Sequence, residues 1–189
     1  MKKLLLLFFA CFSAMSYAQK EYIVDGIIIP RSIDFQGKKL ELSGFGTRSK
    51  LWMDVYLQAL YLETLSQEAD KIIANDLDKM AIRIIITSSL VSSGKFTRNF
   101  NNGFEKSAKD KLELLQPRIE LFKGFMSEKI VENDVFNLMY NPNDQKTYVY
   151  KNDVLKGTVP GLDFKNALFG IWLGNNPVDQ KLKKDLLGM

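Results

Sequence analysis

The sequence predicts an α+β domain built on a mainly antiparallel sheet. Two observations carry that expectation. The elements come in the order strands, helices, a three-strand meander and closing helices, and no repeat, low-complexity stretch or Pro/Gly-rich linker divides them.

Taken in order, Ile27 to Phe35 is apolar and β-branched and reads as the first strand. Phe35-Gln36-Gly37-Lys38 is a turn into a second strand, Lys39 to Gly46. A third runs from Lys50 to Leu62, largely apolar at odd and even positions alike, which predicts burial on both faces. Tyr56 and Leu60 fall on one of those faces and Tyr61 on the other. Ser66 is the expected N-cap of a short helix through Ala74, with Glu68 and Asp70 near its positive end. Lys79 to Thr87 returns to strand around Ile84-Ile85-Ile86. Ser92-Ser93 opens the longest helix, along which Phe96, Phe100, Phe104, Ala108 and Leu112 recur every fourth residue. Pro117 is expected to interrupt it before a further helical stretch, Ile119 to Met126. Val135 to Tyr140, Thr147 to Tyr150 and Val154 to Val159 are short strands joined by Asn- and Asp-rich turns. Two helices close the chain: Phe164 to Leu173, stopped by Gly174, and Val178 to Leu187, started at Pro177.

The N-terminus has the pattern of a cleaved leader. Lys2 and Lys3 precede an uncharged apolar run from Leu4 to Phe12, and Ser16-Tyr17-Ala18 places small residues where a signal peptidase reads. Cleavage is expected between Ala18 and Gln19, leaving one domain over residues 19–189 in an extracytoplasmic, periplasmic setting. The apolar run is shorter than the roughly 20 residues that span a bilayer, and no later segment supplies a second candidate. Cys11, the one cysteine, leaves with the leader, so the domain dispenses with disulfides. Both leader lysines leave as well, which takes the 26 basic residues to 24 against 22 acidic ones. That near balance, without a basic stripe, argues against nucleic acid as a partner.

What the chain lacks restricts its chemistry. With no histidine and no cysteine after cleavage, Ser-His and Cys-His nucleophilic catalysis are excluded, together with zinc, haem and iron–sulfur sites on the usual ligands. No phosphate-binding glycine loop is present, and no cofactor is expected. The segment that stands out is Gly44-Phe45-Gly46-Thr47-Arg48. Its two glycines allow close backbone approach, an arginine follows, and Tyr56 comes on the next strand among apolar neighbours. An arginine and a tyrosine against an apolar wall can fix an anionic head group while the wall takes an aliphatic tail. Spacing taken alone favours the plainer reading, with Arg48 a surface arginine and Tyr56 a half-buried strand tyrosine.

Gly-Phe-Gly-Thr-Arg at 44–48, leading into Val-Tyr-Leu-Gln-Ala-Leu-Tyr-Leu at 55–62, resembles the signature of the chalcone-isomerase-like family. So does Ala-Leu-Phe-Gly-Ile-Trp-Leu-Gly-Asn-Asn-Pro-Val at 167–178, and the match is nearest the family's bacterial secreted branch. The resemblance implies a long antiparallel sheet with a layer of helices on one face and a ligand cleft between them. It also implies which polar groups the plant enzymes' chemistry would need. The family's arginine is matched by Arg48, but its catalytic threonine falls on Tyr56, its helix tyrosine on Phe96 and its asparagine on Gly103. The threonine of the C-terminal helix falls on Ile171. An oilier cleft that keeps its cation resembles the non-catalytic, fatty-acid-binding branch. The expected ligand is therefore a fatty acid or similar small apolar carboxylate, held by Arg48 and Tyr56 with Phe96 and Ile171 along its tail. The alternative is an isomerase of the intramolecular lyase type, acting on another substrate through Arg48 and Tyr56. The Phe96–Phe100–Phe104 stripe is otherwise core packing.

Overall fold

The computed structural model describes residues 21–50 and 53–189. The expected leader, residues 1–18, and its cleavage point lie outside the described residues. Among the described residues nine strands and five α-helices follow in the order β1 (Glu21–Val24), β2 (Ile27–Pro30), β3 (Ser32–Phe35), β4 (Lys38–Lys50), β5 (Met53–Leu62), α1 (Ala69–Ala74), β6 (Met80–Ile86), α2 (Ser93–Ala108), α3 (Leu112–Phe125), β7 (Val135–Asn141), β8 (Lys146–Lys151), β9 (Val154–Pro160), α4 (Leu162–Leu173) and α5 (Gln180–Leu186). Strands β3 to β9 form one seven-stranded sheet in sequence order, every neighbour antiparallel. The α+β expectation holds, and the order follows from chain economy: each strand pairs with the next, and α2–α3 is an excursion between β6 and β7.

Side-chain alternation gives the sheet two apolar faces. Tyr56, Leu60, Ile82, Ile84, Phe136, Leu138 and Tyr140 point to the helices and join Phe104, Phe122, Phe164 and Leu168 in the main core. Leu57, Ala59, Tyr61, Ala81 and Met139 point the other way, where Ile29 from β2 and Phe35 from β3 pack on them. This explains why β5 is apolar on both faces from Val55 to Leu62, with Gln58 the one exception. Tyr61 is fully buried on that second face, and its hydroxyl donates to the Pro30 carbonyl at 2.9 Å.

Several expected boundaries shift, each for a local reason. Ile27 to Phe35 is two strands in two sheets, divided at Pro30-Arg31. Its first part pairs with β1 across an Asp25-Gly26 turn whose residues both take positive φ, 50° and 80°. Strand β4 runs on to Lys50, so the glycine segment lies within a strand. Ser66 does not cap α1: its hydroxyl accepts from the Glu68 amide, and the helix begins at Ala69. Pro117 does not interrupt a helix either, because it lies inside α3. Glu113, whose carbonyl the proline leaves unpaired, is exposed to water. The break comes earlier, at Lys109, where φ is 47°. The last helix starts after Asp179 rather than at Pro177, with the Asp179 carboxylate accepting from the Leu182 amide at 3.1 Å. Ser92 does cap α2, accepting from the Lys95 amide. Among the described residues no helix is long and apolar enough to cross a membrane.

Two close approaches set the helix layer. A Cβ on Gly44 would overlap the Asp185 carbonyl, and one on Gly46 would sit 2.5 Å from the Asp185 carboxylate, so α5 lies directly on β4. The glycines do allow a close approach, and what approaches is the chain's own last helix. On α4, the fully buried Lys165 ammonium donates to the carbonyls of Ile73 and Asn75 at 2.6 and 2.7 Å, tying α4 to the C-terminal end of α1.

Burial pulls the Lys165 ammonium down to about 8, from 10.5. Between those values the unfolded chain keeps a proton that the folded chain has released, so this residue's contribution to stability rises with pH. From pH 8 to pH 10 the gain is about 2 kcal/mol, at about 1.4 kcal/mol per unit. Urea melts of the wild type and Lys165→Met at both pH values should show their stability difference moving in the wild type's favour by that amount. A difference that does not change with pH contradicts the assignment.

Candidate functional site

The β4–β5 hairpin builds the site. Arg48 and Tyr56 stand directly opposite one another across the ladder, and so project to the same, helix-facing side. Above them, α2 supplies Phe96 and Phe100, and α4 supplies Ile171 and Trp172. Together with Val55, Ile84 and Val178 these enclose a cavity of about 180 Å³, with Asn99, Asn102 and Lys106 of α2 along its rim. All four sequence-predicted residues, Arg48, Tyr56, Phe96 and Ile171, line this one cavity.

The wall is rigid because it is aromatic and shared with the core. Phe96 meets Phe100 edge-on at 5.1 Å and leans on Phe136 at the same separation, while Phe100 contacts Phe122 and Trp172 at 4.9 and 5.8 Å. Phe104, the third member of the stripe, is fully buried against Phe122 and Phe164 and belongs to the core. The stripe thus divides along the helix, its first two rings on the cavity and the third behind it.

The polar end is more constrained than the sequence suggested. Tyr56 is buried, and its hydroxyl accepts from the Trp172 indole N–H at 3.1 Å. Burial pushes its pKa up, with the Trp172 hydrogen bond opposing that shift, so at neutral pH the residue is a phenol. Among the described residues no acceptor takes its proton, which leaves Tyr56 a donor facing the cavity. Arg48 is ion-paired: its Nη1 donates to the Asp179 carboxylate at 2.8 Å and to the Ser49 carbonyl at 2.9 Å. Nε and Nη2 have no partner among the described residues. A planar guanidinium therefore keeps one two-donor edge for an anion while its other edge is fixed.

Asp179 is the residue sequence reasoning missed. One of its oxygens caps α5 and the other holds Arg48. An aspartate placed just before a helix is a visible cap signal, but nothing in the sequence links it to an arginine 131 residues earlier. Trp172 and Phe100 were within reach: the first stands next to Ile171, and the second follows Phe96 by one helical repeat. Lys106 and the two asparagines follow from the polar face of α2.

Comparison with known proteins agrees with this architecture. A family model described as chalcone isomerase-like matches residues 21–188. The crystal structure of a fatty-acid binding protein of Arabidopsis thaliana superposes with a TM-score of 0.68 at 22% identity, covering 89% of this chain and 96% of the other. At that identity the likeness shows the fold. A search of curated proteins finds no match.

One pleat beyond Tyr56, Gln58 points into the same helix-facing row, fully buried between Gly46 and Ile84. Neither atom of its amide has a hydrogen-bond partner among the described residues. An unsatisfied buried polar group costs about 1–3 kcal/mol. Gln58→Met, similar in length and without the amide, should therefore stabilise the fold and raise Tm by about 2–10 °C. Differential scanning calorimetry checks this, and a lower Tm would contradict it.

Proposed function

The chain belongs to the chalcone isomerase-like family, and from that premise we propose that it is a non-catalytic binder of a fatty acid or similar small apolar carboxylate. The observation that carries the proposal is the pairing of Arg48 with Tyr56 at one end of an aromatic cavity, each with a donor to spare. The ligand carboxylate lies along the Nε/Nη2 edge of Arg48 and accepts from the Tyr56 hydroxyl, and the alkyl tail runs over Phe96, Phe100 and Ile171. The structural likeness to a protein described as fatty-acid binding points the same way.

Charge balance supports an anion. Arg48 and Lys106 bring two positive charges to the cavity and Asp179 takes one away, which leaves the cavity as a whole net positive. Asp179 orients Arg48, but its own charge opposes that of the ligand. Positions 96, 103 and 171 offer no group that could hold a water or polarise a carbonyl, which favours binding without turnover. We further propose that residues 1–18 are a removed leader and that the domain works outside the cytoplasm, in the periplasm. On this reading, protein isolated from its host begins at Gln19, and N-terminal analysis that finds Met1 contradicts it.

Calorimetric titration with octanoate tests the head-group site. Arg48→Ala should weaken binding by about 10- to 150-fold, the value of a partly desolvated charge-assisted hydrogen bond. Arg48→Lys should recover part of that loss, since it keeps the charge and loses the fork. Tyr56→Phe should cost about 2- to 10-fold, and it also leaves the Trp172 N–H without its acceptor, so affinity is measured well below its Tm. Asp179→Asn keeps a capping oxygen and removes the opposing charge, so octanoate should bind more tightly, by about 3- to 10-fold. Arg48→Ala binding as tightly as the wild type would overturn the proposal.

A further inference from the structure

The size of the cavity and one contact between α2 and α4 bear on which tail it takes. Gly103 is buried in α2, and a Cβ there would lie 2.7 Å from Cγ2 of Ile171 and 3.0 Å from its Cδ1. Real Cβ atoms do not approach that closely, so Ile171 occupies the volume that a side chain at 103 would otherwise need. The same Ile171 lines the cavity, almost fully buried, next to the Trp172 that holds Tyr56. At about 180 Å³ the cavity is little larger than the roughly 150 Å³ apolar cavity that accommodates one benzene. Beside Gly103 the α2 residues that reach the cavity, Asn102 and Lys106, are polar and exposed.

We propose that Ile171, set against Gly103, ends the tail channel and makes this protein selective for medium-chain carboxylates of about six to eight carbons. The proposal rests on Arg48 and Tyr56 being the head-group site. Phe96 and Phe100 cannot readily give way, since each is held edge-on or tilted against further rings of the core. Ile171 is therefore the side chain that sets the length. Its loss to alanine removes three carbon atoms from the end of the channel, space for two or three more methylenes of ligand.

The test is a calorimetric series of straight-chain saturated carboxylates from butanoate to hexadecanoate, kept below their micelle concentrations. For the wild type, affinity should rise about fourfold per methylene up to about eight carbons and then stop rising. In Ile171→Ala the break should move two or three carbons longer, with decanoate bound about 10-fold more tightly than by the wild type and hexanoate bound no more tightly. Ile171→Val, a milder core change, should move the break by about one carbon. In Gly103→Ala/Ile171→Ala the new methyl group should refill part of the space and bring the break back toward eight. A wild-type affinity that keeps rising through hexadecanoate overturns the length limit alone, as does a break that stays fixed in every variant. No binding by any member of the series overturns the head-group site and the length limit together.

Discussion

The close seating of α5 on β4 is the constraint from which the site follows. Because Gly44 and Gly46 have no side chains, the end of the last helix comes down onto the strand backbone. Its N-terminal cap, Asp179, then falls within 2.8 Å of Arg48, two residues past the second glycine. One carboxylate thereby ends a helix and aims a guanidinium. Without the glycines α5 would stand off the sheet, and Arg48 would be a long, flexible side chain losing rotamer entropy for every contact it made. The hairpin ladder does the same for Tyr56, which it sets opposite Arg48, and Trp172 fixes the phenol from the other side.

Much of this was legible in the sequence, for reasons that differ from residue to residue. The strands could be read because a sheet apolar on both faces leaves a long apolar run, as at Val55 to Leu62, where Gln58 alone interrupts it. That Arg48, Tyr56, Phe96 and Ile171 would line one cavity came from the resemblance of two separate motifs; spacing alone left Arg48 a plain surface residue. Pro117 misled because proline's cost depends on whether the orphaned carbonyl can reach water, and exposure is a tertiary property. The β1–β2 hairpin carried its Asp25-Gly26 turn signal openly, yet its purpose, covering the second face of the sheet, becomes visible only once that face exists. Asp179 was hidden for the most general reason. An ion pair between distant segments leaves no periodicity in either.

The cleft trades polar chemistry for packing. Where a catalytic cleft needs donors placed around the reacting atoms, positions 96, 103 and 171 here supply a ring, an absence and a branched alkyl group. What remains polar is gathered at one end, around Arg48, Asp179 and Tyr56, and along the α2 rim. Such an asymmetry suits a ligand with one charged end and a featureless tail. Under the proposed function few residues are needed for orientation: the tail has no preferred rotation about its axis, so a fork and a phenol would be enough to fix it.

The most direct measurement is a crystal structure with octanoate bound. The account predicts one carboxylate oxygen pair within about 2.7–3.2 Å of Nε and Nη2 of Arg48, with the Tyr56 hydroxyl donating to one of them. It also predicts the tail over Phe96 and Phe100, ending at Ile171. A carboxylate at Lys106 with the tail pointing toward Arg48, or a ligand bound elsewhere with this cavity unchanged, would contradict it.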